Sequence, residues 1–194
     1  MTNENTTIWR KGNKVILRPL EKNDAGLLYR WINDPATNQY LATTEPKGLG
    51  FEEAWIEKNQ KPDHNNIVVG ICTLGGQLIG TMGLHHINYI NRTAITGALI
   101  GEKEYLGNGF GTDAKMLLLD YAFNELDLFK VQSSVIEFNS RSAAYSKKCG
   151  YVEEGRLRGQ FFRAGKRHDD IMLAVFKDQW LPLWEQYQKD FPAA

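Results

Sequence analysis

The amino-acid sequence predicts an α/β (α+β) fold with a mixed, mostly antiparallel central sheet of about six to seven strands and helices on both faces. Strand-like runs joined by short turns stand on either side of a strand–helix–strand segment, which is typical of antiparallel hairpins flanking one helical crossover. The chain has 194 residues, of which 42% are hydrophobic and 24% are charged, and this composition fits an ordinary domain with a buried core. We therefore expect a single domain over residues 1–194, with its core at about 14–180 and a C-terminal helix at about 178–190.

The first third of the chain predicts one strand and two helices. Lys14–Leu20 is rich in β-branched residues and reads as a strand. A helix follows, capped by Asn23 or Asp24, and ends before Pro35. The Thr-, Asn-, Pro- and Gly-rich segment 35–50 predicts a long surface loop, and Phe51–Lys58 predicts a short helix with an aromatic inner face.

The rest of the chain predicts an antiparallel meander, a crossover helix and a final hairpin. The expected strands are Asn66–Thr73, Gln77–His85, Thr93–Ile100, Lys130–Phe138, Tyr151–Arg163 and Asp169–Phe176. The expected helices are Asp113–Leu126, which has a wide apolar stripe, a helix from Asn139 to Cys149 closed by Gly150, and a final helix near Gln179–Lys189.

Charge and composition exclude several classes of protein. Lys plus Arg equals Asp plus Glu at 23 each, so no overall field would recruit nucleic acid or an anionic membrane. The polar start and the lack of a long apolar run predict a cytoplasmic protein without a membrane span. Cys72 and Cys149 lack metal-site spacing, and the adjacent His85 and His86 point to opposite faces of a strand. We therefore expect buried thiols and no metal.

The stretch Tyr105–Thr112 predicts a site for an anion. Its three glycines at alternate positions permit tight turns and leave backbone N–H groups uncovered, and the following helix adds its positive end. A Rossmann fingerprint is excluded because the sixth position counted from Gly107 is Thr112, and the preceding strand belongs to a meander. A Walker loop is excluded because no Gly-Lys-Ser/Thr sequence ends the stretch.

Several motifs together resemble the GNAT N-acetyltransferase superfamily, in particular its branch of ribosomal-protein-alanine and spermidine N-acetyltransferases. They are Leu17-Arg-Pro-Leu20, Trp31-Ile-Asn-Asp-Pro35, Gly80-Thr-Met-Gly83, Gly107 to Ala114, Asp120-Tyr-Ala-Phe123, Asn139 with Ser142, Cys149-Gly-Tyr151, Glu154-Gly155, and Gly165 followed by Asp169. The resemblance implies the acyl-CoA N-acyltransferase fold and direct transfer of an acetyl group from acetyl-CoA to a primary amine in a ternary complex. The amine would belong to a protein N-terminus, a polyamine or a small molecule, and a homodimer is one assembly left open.

The resemblance also implies positions for CoA. It places the pyrophosphate on the loop that the residues had already predicted to bind an anion, namely Gly107, Asn108, Gly109, Phe110, Gly111 and Thr112. It implies that Leu99 and Ile100 offer backbone groups to the pantetheine arm, which pairs like an extra strand where the sheet splays after Ile100. Asn139 and Ser142 would meet the arm from the other side.

The catalytic residues are less clearly marked. In many relatives a tyrosine protonates the departing thiolate, and that slot, counted back from Cys149, holds Ser146, with Tyr145 one place earlier. Because a helix turns about 100° per residue, the two side chains cannot point at the same atom. The position in the sequence favours Ser146 as the acid, whereas the phenol of Tyr145 has the chemistry that relatives use for this role.

The strand glutamate of many relatives is replaced here by Ile95. The available substitutes are Glu137, Asp34, His85 and His86, with a water chain ending on one of them. This departure leaves a second hypothesis open, a non-catalytic acyl-CoA-binding module or sensor. A nucleotide-binding domain ranks below both.

The acceptor side is expected in two segments, residues 33–50 and residues 85–92. Trp31, Tyr40, Phe51 and Trp55 form either part of an acceptor pocket or, more commonly for aromatic residues at helical spacing, part of the core.

Overall fold

A computed structural model describes residues 7–190, and the polar start Met1–Thr6 and the last residues 191–194 lie outside the described part. The strands are β1 (Arg10–Lys11), β2 (Val15–Arg18), β3 (Ile67–Thr73), β4 (Leu78–Asn88), β5 (Thr93–Ile100), β6 (Lys130–Ile136), β7 (Val152–Arg163) and β8 (Lys166–Phe176). The helices are α1 (Ala25–Asn33), α2 (Pro35–Asn38), α3 (Leu49–Gln60), α4 (Phe110–Asp120), α5 (Ser140–Lys148) and α6 (Lys177–Asp190).

All eight strands join one sheet in the order β1-β2-β3-β4-β5-β6-β8-β7. Every neighbouring pair is antiparallel except β5 and β6, which are parallel because α4 carries the chain across one face between them. The predicted mixed, mostly antiparallel sheet is therefore confirmed. It has one strand more than the sequence indicated, since β1 is only two residues long and pairs with the end of β2 at Arg10 and Leu17.

Helices cover both faces of the sheet, as predicted. On one face a large core packs α4 and α6 against the strands, with Phe123 and Trp180 fully buried at its centre. On the other face a smaller core packs α1 and α3 through Trp31 and Ile56. Apolar side chains on both sides of the sheet are thus removed from water, which is the main driving force for this architecture.

Three local expectations need correction. The segment 35–50 contains the short helix α2 rather than loop alone, and the Asp34 side chain caps it by accepting the Ala36 N–H at 2.9 Å. The inner face of α3 is only partly aromatic: Trp55 packs against the smaller core beside the buried Glu52 and Ile56, whereas Phe51 is 49% exposed. Asp24 occupies the N-cap position of α1, but its side chain makes no capping hydrogen bond to that helix and instead forms a two-bond ion pair with Arg18 at 2.8 Å.

The crossover helix continues beyond α4 as a π-helical turn over Tyr121–Glu125. Gly150 follows Cys149, the C-cap residue of α5, and adopts a left-handed backbone with φ of 90°, as expected for a residue that closes a helix. Within residues 7–190, no helix combines the length and apolar character needed to cross a bilayer.

Candidate active site

A cavity of about 790 Å³ opens where β5 and β6 separate. The two strands pair only from Thr93 with Lys130 to Ile95 with Gln132, whereas β5 continues to Ile100. The splay therefore begins after Ile95, five residues before the position that the family resemblance implied. The remaining half of β5 keeps β4 on one side and leaves its other edge without a strand partner in the described sheet. An extended ligand can add to such an edge as a strand does.

The glycine loop closes one end of this cavity. Gly107 and Gly109 have φ of 78° and 86°, a region that costs a residue with a Cβ about 1–2 kcal/mol. Gly109 directly precedes α4, so the first N–H groups of that helix point out of its end without acceptors in the helix. The Lys14 ammonium donates to the Asn108 carbonyl at 2.8 Å and adds positive charge beside the loop. The arrangement suits an anionic group.

The structure brings most of the predicted CoA-binding residues to the cavity. Those that line it are Leu99, Ile100, Gly107, Gly109, Gly111, Thr112, Asn139 and Ser142. Asn108 and Phe110 do not: Asn108 donates its side-chain N–H to the Glu104 carbonyl, and the ring of Phe110 packs edge-on against Tyr105 at 5.0 Å. Their backbone groups still belong to the loop and to the first turn of α4.

Asn139 has a structural role as well as a place in the cavity. It precedes α5, and its side-chain oxygen accepts the Ser142 backbone N–H at 3.2 Å. This cap satisfies one of the free N–H groups at the start of the helix. The same two residues line the cavity opposite β5.

Tyr145 and Ser146 lie on different sides of α5. Tyr145 lines the cavity, whereas Ser146 has 0% exposure and its hydroxyl accepts a hydrogen bond from the Lys115 ammonium at 3.3 Å. Ser146 is therefore part of a buried polar cluster behind the cavity wall. The separation follows from the turn of about 100° between successive helical residues.

Lys115 is the centre of that cluster and is only 1% exposed. Its ammonium lies 4.4 Å from the ring centre of Tyr145 and 4.6 Å from that of Tyr151. Burial lowers the pKa of Lys115, but attraction to the phenols of Tyr145 and Tyr151 and to the Cys149 thiol outweighs it, and the pKa is raised. Burial raises the pKa of Tyr151 to about 12, and its hydroxyl is 2.9 Å from that of Thr96. The Lys115 ammonium therefore packs against the ring of Tyr145.

The predicted substitutes for the missing glutamate lie outside the cavity lining. Glu137 pairs with His168 at 2.8 Å, and Asp34 pairs with Lys103 at the same distance, which lowers the pKa of Asp34. Burial lowers the pKa of His85, and His86 sits in a β-bulge with φ of 52°. Ile95 itself does line the cavity and is 39% exposed.

Asp170 is a cavity residue that sequence analysis missed. It lies on β8 between Ile136 of β6 and Leu157 of β7, and it is only 7% exposed. Its Oδ1 has no hydrogen-bond partner among residues 7–190. Burial raises the pKa of Asp170. Hydrogen bonds to the Ser134 side chain and the Val135 backbone act in the opposite direction, but the pKa remains above its ordinary value. The available signal was the pair Asp169-Asp170 within a strand, since alternation must turn one of the two inward.

Of the four aromatic candidates for the acceptor pocket, Tyr40 alone lines the cavity. Trp31 is 1% exposed in the smaller core, Trp55 packs against the same core, and Phe51 is exposed. Arg163 ties the segment after Tyr40 to the β7–β8 hairpin by donating to the carbonyls of Leu41 and Ala42 at 2.8 and 3.2 Å. Tyr40, Leu41, Ala42 and Phe161 together form part of the cavity wall.

Within residues 7–190, no group of three or more His, Cys, Asp or Glu side chains is arranged to hold a metal ion. Cys72 and Cys149 are both buried and free, and burial raises the pKa of the Cys149 thiol to about 12. Such a thiol is a poor nucleophile at neutral pH. The cavity therefore offers a phenol, a carboxylate and an anion-binding loop for its chemistry.

Known proteins resemble this chain over most of its length. The family described as "Acetyltransferase (GNAT) domain" matches residues 14–152. The chain is 34% identical over 172 residues to the "Putative ribosomal N-acetyltransferase YdaF" of Bacillus subtilis (strain 168), covering 86% of this chain and 93% of the relative. It is 28% identical over 169 residues to spermidine N(1)-acetyltransferase of Escherichia coli (strain K12), covering 87% and 89%.

A solved structure shares the fold. The crystal structure of spermidine N-acetyltransferase from Vibrio cholerae in complex with CoA and spermine matches with a TM-score of 0.78 at 28% identity. The match covers 86% of this chain and 98% of that one. The splayed sheet and the glycine loop thus occur in a chain with close structural likeness to one that carries CoA.

Proposed function

The chain belongs to the acetyltransferase (GNAT) domain family and is an acetyl-CoA-dependent N-acetyltransferase, and we propose that the opening between β5 and β6 holds acetyl-CoA and a primary amine together in one ternary complex. The observation that carries this proposal is the continuous cavity that joins the free edge of β5 to the glycine loop. A phosphate-bearing, extended thioester fits a cavity that has an anion-binding end and an unpaired strand edge.

Acetyl-CoA lies along this cavity with its pyrophosphate at the glycine loop. The backbone N–H groups from Asn108 to Thr112 bind the phosphates, aided by the positive end of α4. The pantetheine arm pairs with the backbone at Leu99 and Ile100, and it contacts Asn139 and Ser142 at the start of α5. A backbone N–H near Leu99 stabilises the oxyanion of the tetrahedral intermediate.

Tyr145 is the residue that protonates the departing thiolate. It lines the cavity on α5, whereas Ser146 faces the buried cluster around Lys115. A phenol is a suitable acid for a thiolate because it can donate a proton and recover it within one turnover. Lys115 acts as a positioning residue, because its ammonium packs against the Tyr145 ring and restricts the rotation of that ring, and Tyr151 contacts the same ammonium.

Thiol release from acetyl-CoA in the presence of amines tests the proposed function. The wild-type protein is expected to release CoA and to acetylate at least one member of a panel of peptides with free N-termini, monoamines and polyamines. Mass spectrometry of the acceptor checks that the acetyl group is on nitrogen. Measurable CoA binding without turnover on any amine would instead indicate a non-catalytic acyl-CoA-binding protein.

Substitution of Tyr145 by phenylalanine is expected to lower kcat by about 100-fold, because the acid is removed while the ring that packs on Lys115 is kept. The dissociation constant of acetyl-CoA, measured by calorimetry, is expected to change by no more than about twofold, since the phenol acts only as the C–S bond breaks.

Tyr29→Phe is the matched control, because Tyr29 is 41% exposed on α1 and does not line the cavity. Ser146→Ala is expected to lower melting temperature more than kcat, since the Ser146 hydroxyl is buried against Lys115. If Ser146→Ala abolished turnover and Tyr145→Phe did not, the assignment of the acid to Tyr145 would be wrong.

A further inference from the structure

The charges that line the cavity are unequal. Among the residues of the described chain that line it, Asp170 is the one carboxylate, and three residues are cationic: Lys103, Arg141 and Lys148. A lining of this kind attracts the phosphates of CoA, but it offers a positively charged acceptor a single attractive partner. We therefore expect the ammonium group of the acceptor to bind next to Asp170.

Asp170 is held in a position that suits an ammonium ligand. Its neighbours on both sides in the sheet, Ile136 and Leu157, are apolar, and among residues 7–190 no Lys or Arg side chain forms an ion pair with it. Asp170 is 7% exposed and has a buried oxygen without a hydrogen-bond partner in the described residues. Burial of such a carboxylate destabilises the folded state. Because Asp170 also lines the cavity, a ligand bound there is placed to supply a hydrogen bond to this carboxylate.

We propose that the acceptor is a primary amine that carries a single positive charge, and that Asp170 binds its ammonium group and accepts its proton. This inference rests on the proposed function, because it assigns the acceptor end of the same cavity. The wall formed by Tyr40, Leu41, Ala42 and Phe161 contacts the substituent of the amine and contains no carboxylate. A second ammonium group on the acceptor would therefore be desolvated there without a counter-charge.

The proton and electron balance of the transfer is complete with these groups. Asp170 removes one proton from the ammonium, and the nitrogen lone pair forms a C–N bond to the thioester carbonyl carbon. The C–S bond then breaks, and the sulfur leaves with the electron pair and takes the proton of Tyr145. The nitrogen passes its second proton to the Tyr145 phenolate, and Asp170 releases its proton to solvent. The products are the acetamide, CoA thiol and one proton.

Burial supports the choice of Asp170 as the base. Because burial raises its pKa above the ordinary value of an aspartate, it binds a proton more tightly than a solvated carboxylate. The raised pKa also means that ionised Asp170 destabilises the folded state, since the advantage of the protonated form is lost as pH rises through the folded pKa. A neutral isostere at this position is therefore expected to be tolerated by the fold.

Asp170→Asn is the first test. We expect kcat/KM for the best amine to fall by about 100-fold, while the dissociation constant of acetyl-CoA is unchanged and the melting temperature is equal or higher. Asp169→Asn is the matched control, because Asp169 lies next on the same strand, accepts the Gly159 N–H at 2.9 Å and does not line the cavity. Equal activity of Asp170→Asn and Asp169→Asn would overturn the proposal.

The dependence of kcat/KM on pH distinguishes a base from a residue with a purely structural role, because only loss of the base changes the shape of the pH profile. In the wild type, kcat/KM falls at low pH as Asp170 becomes protonated, whereas in Asp170→Asn it rises steadily toward the pKa of the amine, so the two curves approach each other at high pH. Glu137, which directly follows β6, is one of the other titratable or charged groups around Asp170. Those on β6, β7, β8 and α5 are Lys130, Arg141, Tyr145, Lys147, Lys148, Glu153, Glu154, Arg156, Arg158, Arg163, Lys166, Arg167, His168 and Asp169. Parallel curves for the two proteins would count against Asp170 as the base.

The acceptor panel is the second test, and it uses the unmodified protein. A peptide with a free N-terminus and an otherwise uncharged sequence, or butylamine, is expected to exceed spermidine in kcat/KM by at least about 30-fold, the ratio for roughly 2 kcal/mol. Spermidine as the best acceptor would refute the single-charge inference. If no amine is acetylated, the proposed function itself fails, and that result is distinct from either outcome.

Discussion

Replacement of Asp113 by alanine is expected to reduce the free energy of unfolding by about 3–5 kcal/mol, the range for removing one partner of a buried, hydrogen-bonded charge. Asp113 is 5% exposed in the first turn of α4. Its carboxylate accepts the backbone N–H groups of Asn13, Lys14 and Val15 at 3.2, 2.9 and 3.0 Å and the hydroxyl of Tyr187 at 2.6 Å. Urea unfolding followed by circular dichroism measures the loss.

The effect is large because one carboxylate joins three distant segments. The substitution leaves the buried Val15 N–H and the partly buried N–H groups of Asn13 and Lys14 without their acceptor, and it removes the hydrogen bond that joins α6 to α4. Tyr187→Phe is the graded control: it removes one donor and is expected to cost about 1 kcal/mol. If Asp113→Ala cost no more than Tyr187→Phe, the carboxylate would not be the point at which these segments are joined.

This network also connects stability to binding. Asp113 directly follows Thr112, the last residue of the glycine loop, and an added Cβ at Gly12 would lie 2.5 Å from its Oδ2. The chain before β2 therefore packs closely against the start of α4. The orientation of the loop N–H groups depends on that contact, so Asp113→Ala is also expected to weaken acetyl-CoA binding.

The parts of the fold that sequence analysis predicted correctly are those with local signals. The glycines after β5, the apolar stripe of α4 and the turn between β3 and β4 each specify backbone geometry within a few residues. The strand β1 was missed because two residues carry no periodicity, and its partner Leu17 is what defines it. The role of Asp113 was missed because an acidic residue in a first helical turn is expected at any helix.

In the candidate site, too, the residues with local sequence signals were predicted, and those that depend on the assembled fold were not. The family motifs led to the loop and to α5. The base was sought among Glu137, Asp34, His85 and His86, because Ile95 replaces the strand glutamate. Asp170 lies on β8, and its place beside the opening depends on which of two adjacent aspartates faces inward and on how far β5 separates from β6. Those are properties of the assembled sheet. The choice between Tyr145 and Ser146 likewise depended on the rotation of α5, which the sequence does not specify.

Gly80→Ala is expected to cause the second large loss, because an added Cβ would lie 2.1 Å from the Leu99 carbonyl oxygen and 3.0 Å from the Ile100 Cα. Gly80 pairs with Ile100 across β4 and β5, and backbone atoms cannot move aside as a side-chain end can. We expect the free energy of unfolding to fall by about 3 kcal/mol, the upper part of the range for overpacking. Thermal unfolding measures this loss.

The same substitution tests where the pantetheine arm binds. The clash displaces the end of β5 at Leu99 and Ile100, which the proposed function assigns to that arm, so the dissociation constant of acetyl-CoA is expected to rise at least about tenfold, or 1.4 kcal/mol. Gly155→Ala is the matched control, because Gly155 is also in a strand and an added Cβ there meets no atom within 4 Å among the described residues. A folded Gly80→Ala protein that binds acetyl-CoA as tightly as Gly155→Ala would place the arm elsewhere. A loss of affinity confined to Gly80→Ala would support its place at the free edge of β5.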